Sequence, residues 1–181
     1  MLIRNILEES VRKFDEVKAV KWLKKKEIME RSYGELMENV VSTRKGLLAE
    51  GFEGKHIALI GTSSVEWMES YLGIITGCTT AVPLDAALPC EDLIDLLNRS
   101  DSVALFLSPK LKPYLDAFLE NCPKLQKVWM LQEEVEDAPA KVYGIGELRN
   151  AGKSASADSV CPAAEDIATI IFTSGTTGKS K

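Results

Sequence analysis

Histidine is almost absent, His56 being the only one. The four cysteines, Cys78, Cys90, Cys122 and Cys161, stand apart, and no two share Cys-x-x-Cys spacing. That argues against a zinc centre built from close Cys and His ligands. Isolated thiols also fit a reducing compartment better than a disulfide framework. No apolar run approaches the ~20 residues that a membrane-spanning helix needs. Arg4, Glu8 and Glu9 interrupt the first ten residues, so no secretory leader is expected and the expected location is cytoplasmic. Positive charge is in deficit: 22 Lys and Arg against 27 Asp and Glu leave a net charge of −5. A dedicated nucleic-acid binder would show the opposite balance. With 12 Gly and 7 Pro among 181 residues, collagen-like and low-complexity chains are excluded.

What is present is a globular composition, 45% hydrophobic and 27% charged. A chain of this length buries about 70% of its unfolded surface and needs no covalent staples. Ile3, Ile6, Leu7, Val11 and Phe14 recur at helical spacing and predict an amphipathic helix. Residues 18–23 then read as a strand. Lys24, Lys25 and Lys26 form the tip of a hairpin returning through Ile28 and Met29, the solvated charge run of common experience. The first 31 residues thus make a helix–hairpin segment. Ser32 and Glu35 form a capping box. The helix behind it runs through Leu36, Val40, Leu47 and Leu48 to a left-handed stop at Gly51.

From residue 55 onward, strands alternate with helices. Residues 57–60, 79–84, 103–107 and 128–131 are short apolar strands of the kind buried on both faces. Between them lie helices through Trp67, Tyr71 and Ile75, closed by Gly77, through Leu93, Leu96 and Leu97, and over 114–119. This alternation predicts an α/β fold, a doubly wound, mainly parallel sheet flanked by helices. Glu133, Glu134, Glu136 and Asp137 make an acidic loop, and a short helix covers 146–150. Residues 152–164, rich in Ser, Ala and Pro, form a surface connection. A last apolar strand over 166–172 then leads into Thr173.

Thr173, Ser174, Gly175, Thr176, Thr177, Gly178, Lys179, Ser180 and Lys181 are the run that carries chemistry. Glycines let backbone N–H groups approach an anion, and successive N–H groups form a concavity for it. Hydroxyls add donors and Lys179 and Lys181 add charge, at the strand end where an open α/β sheet binds ligands. The physical reading is a loop for a phosphate chain; the competing reading is a flexible polar linker. A Walker A loop would need glycine at Thr173 and a helix after Lys181.

These residues closely resemble the phosphate-loop signature of the adenylate-forming, AMP-binding superfamily, Thr-Ser-Gly-Thr-Thr-Gly-x-Pro-Lys-Gly. Ser180 stands where that pattern has proline. Further matches keep the family order. Ser32, Tyr33, Glu35 and Leu36 resemble its Thr-Tyr-x-Glu-Leu. Glu66 and Trp67, then Val82, Pro83, Leu84 and Asp85, are similar to its Glu-Trp and Val-Pro-Leu-Asp blocks. Asp101, Ser102 and Ala104 resemble its Asp-Ser-x-Ala strand. The variants are most like those of bacterial long-chain fatty-acid–CoA ligases, and the resemblance covers essentially the whole chain. It implies that residues 1–181 are the N-terminal portion of an acyl-CoA synthetase large domain, ending at a phosphate loop over 173–181.

The resemblance further implies a two-step reaction. A carboxylate and ATP give an acyl-adenylate and pyrophosphate, and coenzyme A then takes the acyl group. The loop residues Thr173, Ser174, Gly175, Thr176, Thr177, Gly178 and Lys181 would hold ATP phosphates, with Lys179 at a variable position and Mg²⁺ accompanying the nucleotide. The family's adenine, ribose, magnesium and catalytic-lysine motifs lie downstream of its loop and have no counterpart here. No catalytic or metal-ligating residue is therefore assigned within the chain, and residues 1–181 alone are expected to be inactive. The expected partner is the remainder of the ligase chain, with self-association through exposed apolar faces when it is missing. An amino-acid-activating adenylation domain and a non-catalytic binding module are the alternatives.

Other features read as structural. Gly61, Ser63 and Val65 lack the last glycine of a nucleophile elbow, and Ser63 or Ser64 serves better as a helix cap. His56 before a strand suits folding. Gly144 and Gly146 lack the third glycine of a dinucleotide fingerprint and are not expected to follow a strand closely. Trp67 and Tyr71 read as core or interface aromatics, and Cys78 and Cys90 as small apolar groups.

Overall fold

The computed structural model describes residues 2–155 and 161–173. An amphipathic helix α1 (Ile3–Phe14) leads into an antiparallel hairpin, β1 (Lys18–Lys24) and β2 (Glu27–Ser32). Lys25 and Lys26 form its two-residue turn, both with positive φ (47° and 74°). A type I′ turn demands that geometry and normally takes Asn-Gly. Each lysine held there costs about 1–2 kcal/mol. Helix α2 (Tyr33–Ala49) starts at the expected capping box: Glu35 N–H donates to Ser32 Oγ, and Ser32 N–H to the Glu35 carboxylate. It ends where Gly51 turns left-handed at φ +81°.

The remaining elements are β3 (His56–Ile60), α3 (Val65–Ile75), β4 (Thr80–Leu84), α4 (Cys90–Arg99), β5 (Ala104–Leu107), a 3-10 turn (Pro109–Tyr114), α5 (Leu115–Asn121), β6 (Lys127–Met130), β7 (Val142–Gly144) and α6 (Ile145–Ser154). Strands β3 to β7 form one sheet in the order β4-β3-β5-β6-β7, and every pairing is parallel. The chain winds from β3 outward to β4, then crosses back to β5 on the other side. This is a doubly wound α/β fold with its reversal at β3 and β5. Two cores result. Ala58, Ile60, Leu105 and Met130 meet α4 and α5 on one face. Ile57, Leu59, Phe106 and Trp129 meet α2, α3 and α6 on the other. Burial on both faces explains why the strands read as continuous apolar runs rather than alternating ones.

Two local expectations need correction. Strand β7 stands where only loop was expected, so Gly144 and Gly146 do follow a strand directly. Their role is close approach: a Cβ on Gly144 would lie 2.3 Å from the Glu133 carbonyl oxygen, and Gly146 N–H donates to that same oxygen. The first N–H groups of α6 are thereby occupied. Helix α3 closes at Gly77 as expected, the Gly77 N–H donating to the Ile74 carbonyl, and the positive φ of 57° falls on Cys78. Gly77 also makes room for Arg44, whose Cγ would sit 2.6 Å from a Cβ there. The last apolar strand, residues 166–172, is a single bridge, Thr169 beside Ala81.

A buried carboxylate ties the helical layer together. Glu69 on α3 has no exposed surface. Arg149 Nη2 on α6 donates to it at 2.9 Å, Asn39 Nδ2 on α2 at 3.1 Å, and Arg31 Nη1 on β2 at 2.5 Å. Helices α2 and α6 come close enough because Gly46 and Gly152 lack side chains; a Cβ on Gly152 would lie 1.9 Å from the Ser42 carbonyl oxygen. Burial pushes the Glu69 carboxyl up, and the two guanidiniums pull it back only in part. Its contribution to stability is therefore full below the ordinary glutamate pKa and declines as pH rises through the raised value. Breaking such a cluster is costly because it strands a buried charge, while replacing both partners by apolar groups is not. Glu69→Ala is expected to cost about 3–5 kcal/mol in urea denaturation at neutral pH, and Glu69→Leu with Arg149→Met to recover most of it. A loss below about 1 kcal/mol for the single substitution would contradict this role.

Candidate functional site

Ligand loops of a doubly wound sheet emerge at the carboxyl ends of its strands. Residues 166–173 run parallel to β4 along its outer edge, toward that end. Ala81 N–H donates to the Ala168 carbonyl and Ile170 N–H donates to the Ala81 carbonyl, both at 2.9 Å. Thr80 Oγ1 donates to the Ile167 carbonyl at 2.9 Å. From α3, the Tyr71 hydroxyl lies 2.8 Å from Thr169 Oγ1, and the Tyr71 ring stacks on Trp67 with centroids 5.4 Å apart. The Arg99 guanidinium stands 5.4 Å over the Phe172 ring. Ile170 and Phe172 pack onto the α4–α5 core, whereas Ile167 and Ile171 are 66% and 67% exposed.

The ladder stops after one bridge for a covalent reason. Within a parallel strand, alternate residues direct their N–H and C=O to opposite neighbours. Ala81 faces the edge segment, so Pro83 does too, and it has no N–H to donate. The proline costs nothing toward β3, since its missing donor points outward, as edge-strand prolines do. Beyond the Ile170 N–H the segment is held by side chains, chiefly Phe172.

Thr173, the first sequence-derived loop residue, is exposed just past Phe172. Ser174, Gly175, Thr176, Thr177, Gly178, Lys179 and Lys181 lie outside the described residues. Ser64, not Ser63, caps α3, accepting from Trp67 N–H at 3.1 Å. His56 stands at the opposite, amino end of β3, its Nδ1 2.6 Å from the Ser100 carbonyl oxygen. Among the described residues, no group of three or more His, Cys, Asp and Glu side chains is placed to hold a metal ion. No helix among them is long and apolar enough to cross a membrane. Cys78 and Cys90 are half-buried, with burial pushing both thiols up, and Cys122 is buried and pushed up to about 11. These are not activated nucleophiles.

Sequence reasoning missed the Tyr71–Thr169 bond, whose partners are 98 residues apart. The Trp67–Tyr71 spacing gave the aromatic pair but carried no sign of the hydroxyl's partner. Arg99 over Phe172 had no local signal at all.

Comparison with known proteins adds a family. The AMP-binding enzyme family matches residues 7–181. The long chain acyl-CoA synthetase 8 of Arabidopsis thaliana is 26% identical over 161 residues, covering 83% of this chain and 22% of that protein. The long-chain-fatty-acid–CoA ligase 5 of Rattus norvegicus is 29% identical over 163 residues, covering 83% and 24%. The crystal structure of the anthranilate CoA ligase AuaEII, in complex with anthranoyl-AMP, shares the fold. Its TM-score is 0.81 at 19% identity, over 98% of this chain and 33% of that one. The chain therefore spans less than a quarter of the length of these curated relatives.

Two outcomes follow from this geometry. Tyr71→Phe removes a hydrogen bond worth about 1 kcal/mol, so amide exchange at Ile170 is expected to quicken roughly fivefold by hydrogen-exchange mass spectrometry. An unchanged Ile170 rate would remove Tyr71 as an anchor. With its thiol pushed up to about 11 by burial, Cys122 is overwhelmingly protonated near pH 8. Iodoacetamide is expected to label exposed Cys161 first and Cys122 only after unfolding, as read by peptide mapping; equal labelling rates would contradict the burial of Cys122.

Proposed function

Since the chain belongs to the AMP-binding enzyme family, we propose that it is the N-terminal portion of an ATP-dependent acyl-CoA ligase for long-chain fatty acids. In the reaction, a carboxylate oxygen attacks the α-phosphorus of ATP, and the bond to the bridging oxygen of pyrophosphate breaks. The thiol sulfur of coenzyme A then attacks the acyl carbon, and AMP leaves with the bonding electrons. Residues 173–181 form the loop for the β- and γ-phosphates: Thr173, Ser174, Thr176 and Thr177 donate hydroxyls, Gly175 and Gly178 open the backbone, and Lys181 supplies charge. Lys179 adds charge at a more variable position. This donor set fits a phosphate chain, which is recognised by N–H groups, hydroxyls and cations. Mg²⁺ would arrive with the nucleotide and neutralise phosphate charge, and the described residues offer it no ligand cluster. We read the location as cytoplasmic.

The observation that carries the reading is the loop sequence following directly on a segment fastened to the sheet edge. The long-chain relatives at 26% and 29% identity favour a fatty acyl substrate. Positioning and charge neutralisation do most of the work in chemistry at phosphorus, and removing one well-placed charged donor costs about 10²–10³ in rate. Residues 1–181 by themselves supply the loop but not the groups for adenine, ribose or the acyl chain. The exposed pair Ile167 and Ile171 is the face we assign to the remainder of the ligase chain, and to self-association when that is missing.

Fatty-acid-dependent exchange of labelled pyrophosphate into ATP tests this. The full-length protein containing this chain is expected to catalyse it, and Lys181→Ala to lower kcat/KM by about 10²–10³. Residues 1–181 alone are expected to give no exchange. Exchange by the isolated chain, or hydrolysis of ATP to ADP in place of exchange, would overturn the proposal.

A further inference from the structure

The hairpin at the start of the chain plays no part in the loop chemistry, yet it concentrates charge and apolar surface. Residues 18–31 hold Lys18, Lys21, Lys24, Lys25, Lys26 and Arg31 against Glu27 and Glu30, a local charge of +4 in a chain of net −5. Every residue from 23 to 30 is exposed. Leu23 and Ile28 are cross-strand partners and are the two most exposed large apolar side chains described, at 74% and 70%. They form one uncovered apolar pair beside three lysines. Lys21 pairs with Glu30, but no ion pair among the described residues engages Lys24, Lys25 or Lys26.

Solubility alone does not account for this combination. Lysine at a hairpin tip discourages edge pairing, but leucine and isoleucine beside it restore the hazard that lysine would remove. The turn itself would form more readily with Asn-Gly, and the sequence instead holds Lys25 and Lys26 at positive φ. The base of the hairpin is firm: Arg31 stacks over Trp22 at 5.5 Å and donates to buried Glu69. A firm base presenting an apolar pair ringed by unpaired lysines matches the interface of an anionic bilayer, which offers acyl surface beneath negative headgroups. A nucleic acid or an acidic peptide would use the lysines and leave Leu23 and Ile28 uncovered.

We propose that the β1–β2 tip docks on an anionic lipid surface, Leu23 and Ile28 entering the headgroup layer while Lys24, Lys25 and Lys26 face the anionic phosphates. The binding is peripheral and reversible, since two apolar side chains and three charges fall far short of an inserted helix. It is independent of the ligase reading.

Co-sedimentation of the protein carrying the whole chain with phosphatidylglycerol/phosphatidylcholine vesicles, against pure phosphatidylcholine vesicles, tests it. Binding is expected only to the anionic vesicles, and to weaken as salt rises. Lys24→Gln, Lys25→Gln and Lys26→Gln together are expected to lower the partition coefficient roughly a hundredfold. Leu23→Ser with Ile28→Ser is expected to lower it about tenfold or more. All five sites are exposed, so circular dichroism and urea midpoints should stay near wild type and confirm that each variant folds. No binding to anionic vesicles, or binding that both variants retain, would overturn the proposal. Binding lost with the lysines but untouched by the serines would also overturn it, marking a general polyanion contact.

Discussion

Glu69 on α3 is a carboxylate with no exposed surface, and three other elements converge on it. Arg149 brings α6, Asn39 brings α2 and Arg31 brings the hairpin. The net energy of such a cluster is small, because desolvation offsets most of the attraction. Its value lies in geometry: each donor has one good place to be, and departure from it leaves a charge buried without a partner. Two residues further along the same helix, Tyr71 reaches Thr169. The cluster that fixes α3 thus also fixes the anchor of the segment entering the loop. The hairpin base is fastened to the same carboxylate, so both ends of the described chain take their position from one buried group.

The edge of β4 turns that fixed frame into a presentation device. Ala81 grips the segment once, Pro83 ends the ladder, and Phe172 under Arg99 takes over where hydrogen bonds cease. A strand fully laddered to β4 would carry its backbone order straight through Thr173. With Pro83 in that place, the backbone pairing with β4 ends before Thr173. The proline of the Val-Pro-Leu-Asp block thereby acquires a mechanical reason.

Much of this was legible in sequence. The Ser32–Glu35 box, the Ser64 cap and the apolar strand runs each have a local physical cause, and local causes leave local patterns. The parallel sheet followed from their alternation. Strand β7 did not, since its three residues follow an acidic loop and carry no periodicity to read. The Glu69 cluster was equally silent: a buried glutamate looks like any other until partners 30, 38 and 80 residues away are placed beside it. Segment 166–172 read as a buried strand because its composition is apolar, but half its side chains face outward from an edge. The candidate loop was recognised from its residues, and beyond Thr173 it lies outside the described structure.

The phosphate-binding role proposed for residues 173–181 is measurable through its glycines. The full-length protein labelled with ¹⁵N only at glycine would report each backbone amide separately. Addition of ATP is expected to move the Gly175 and Gly178 resonances and to leave Gly51 and Gly54, at the amino end of the sheet, unmoved. Gly175 and Gly178 unmoved under saturating ATP, while Gly144 or Gly146 responded, would contradict the loop as the nucleotide site and shift attention to the β7–α6 junction.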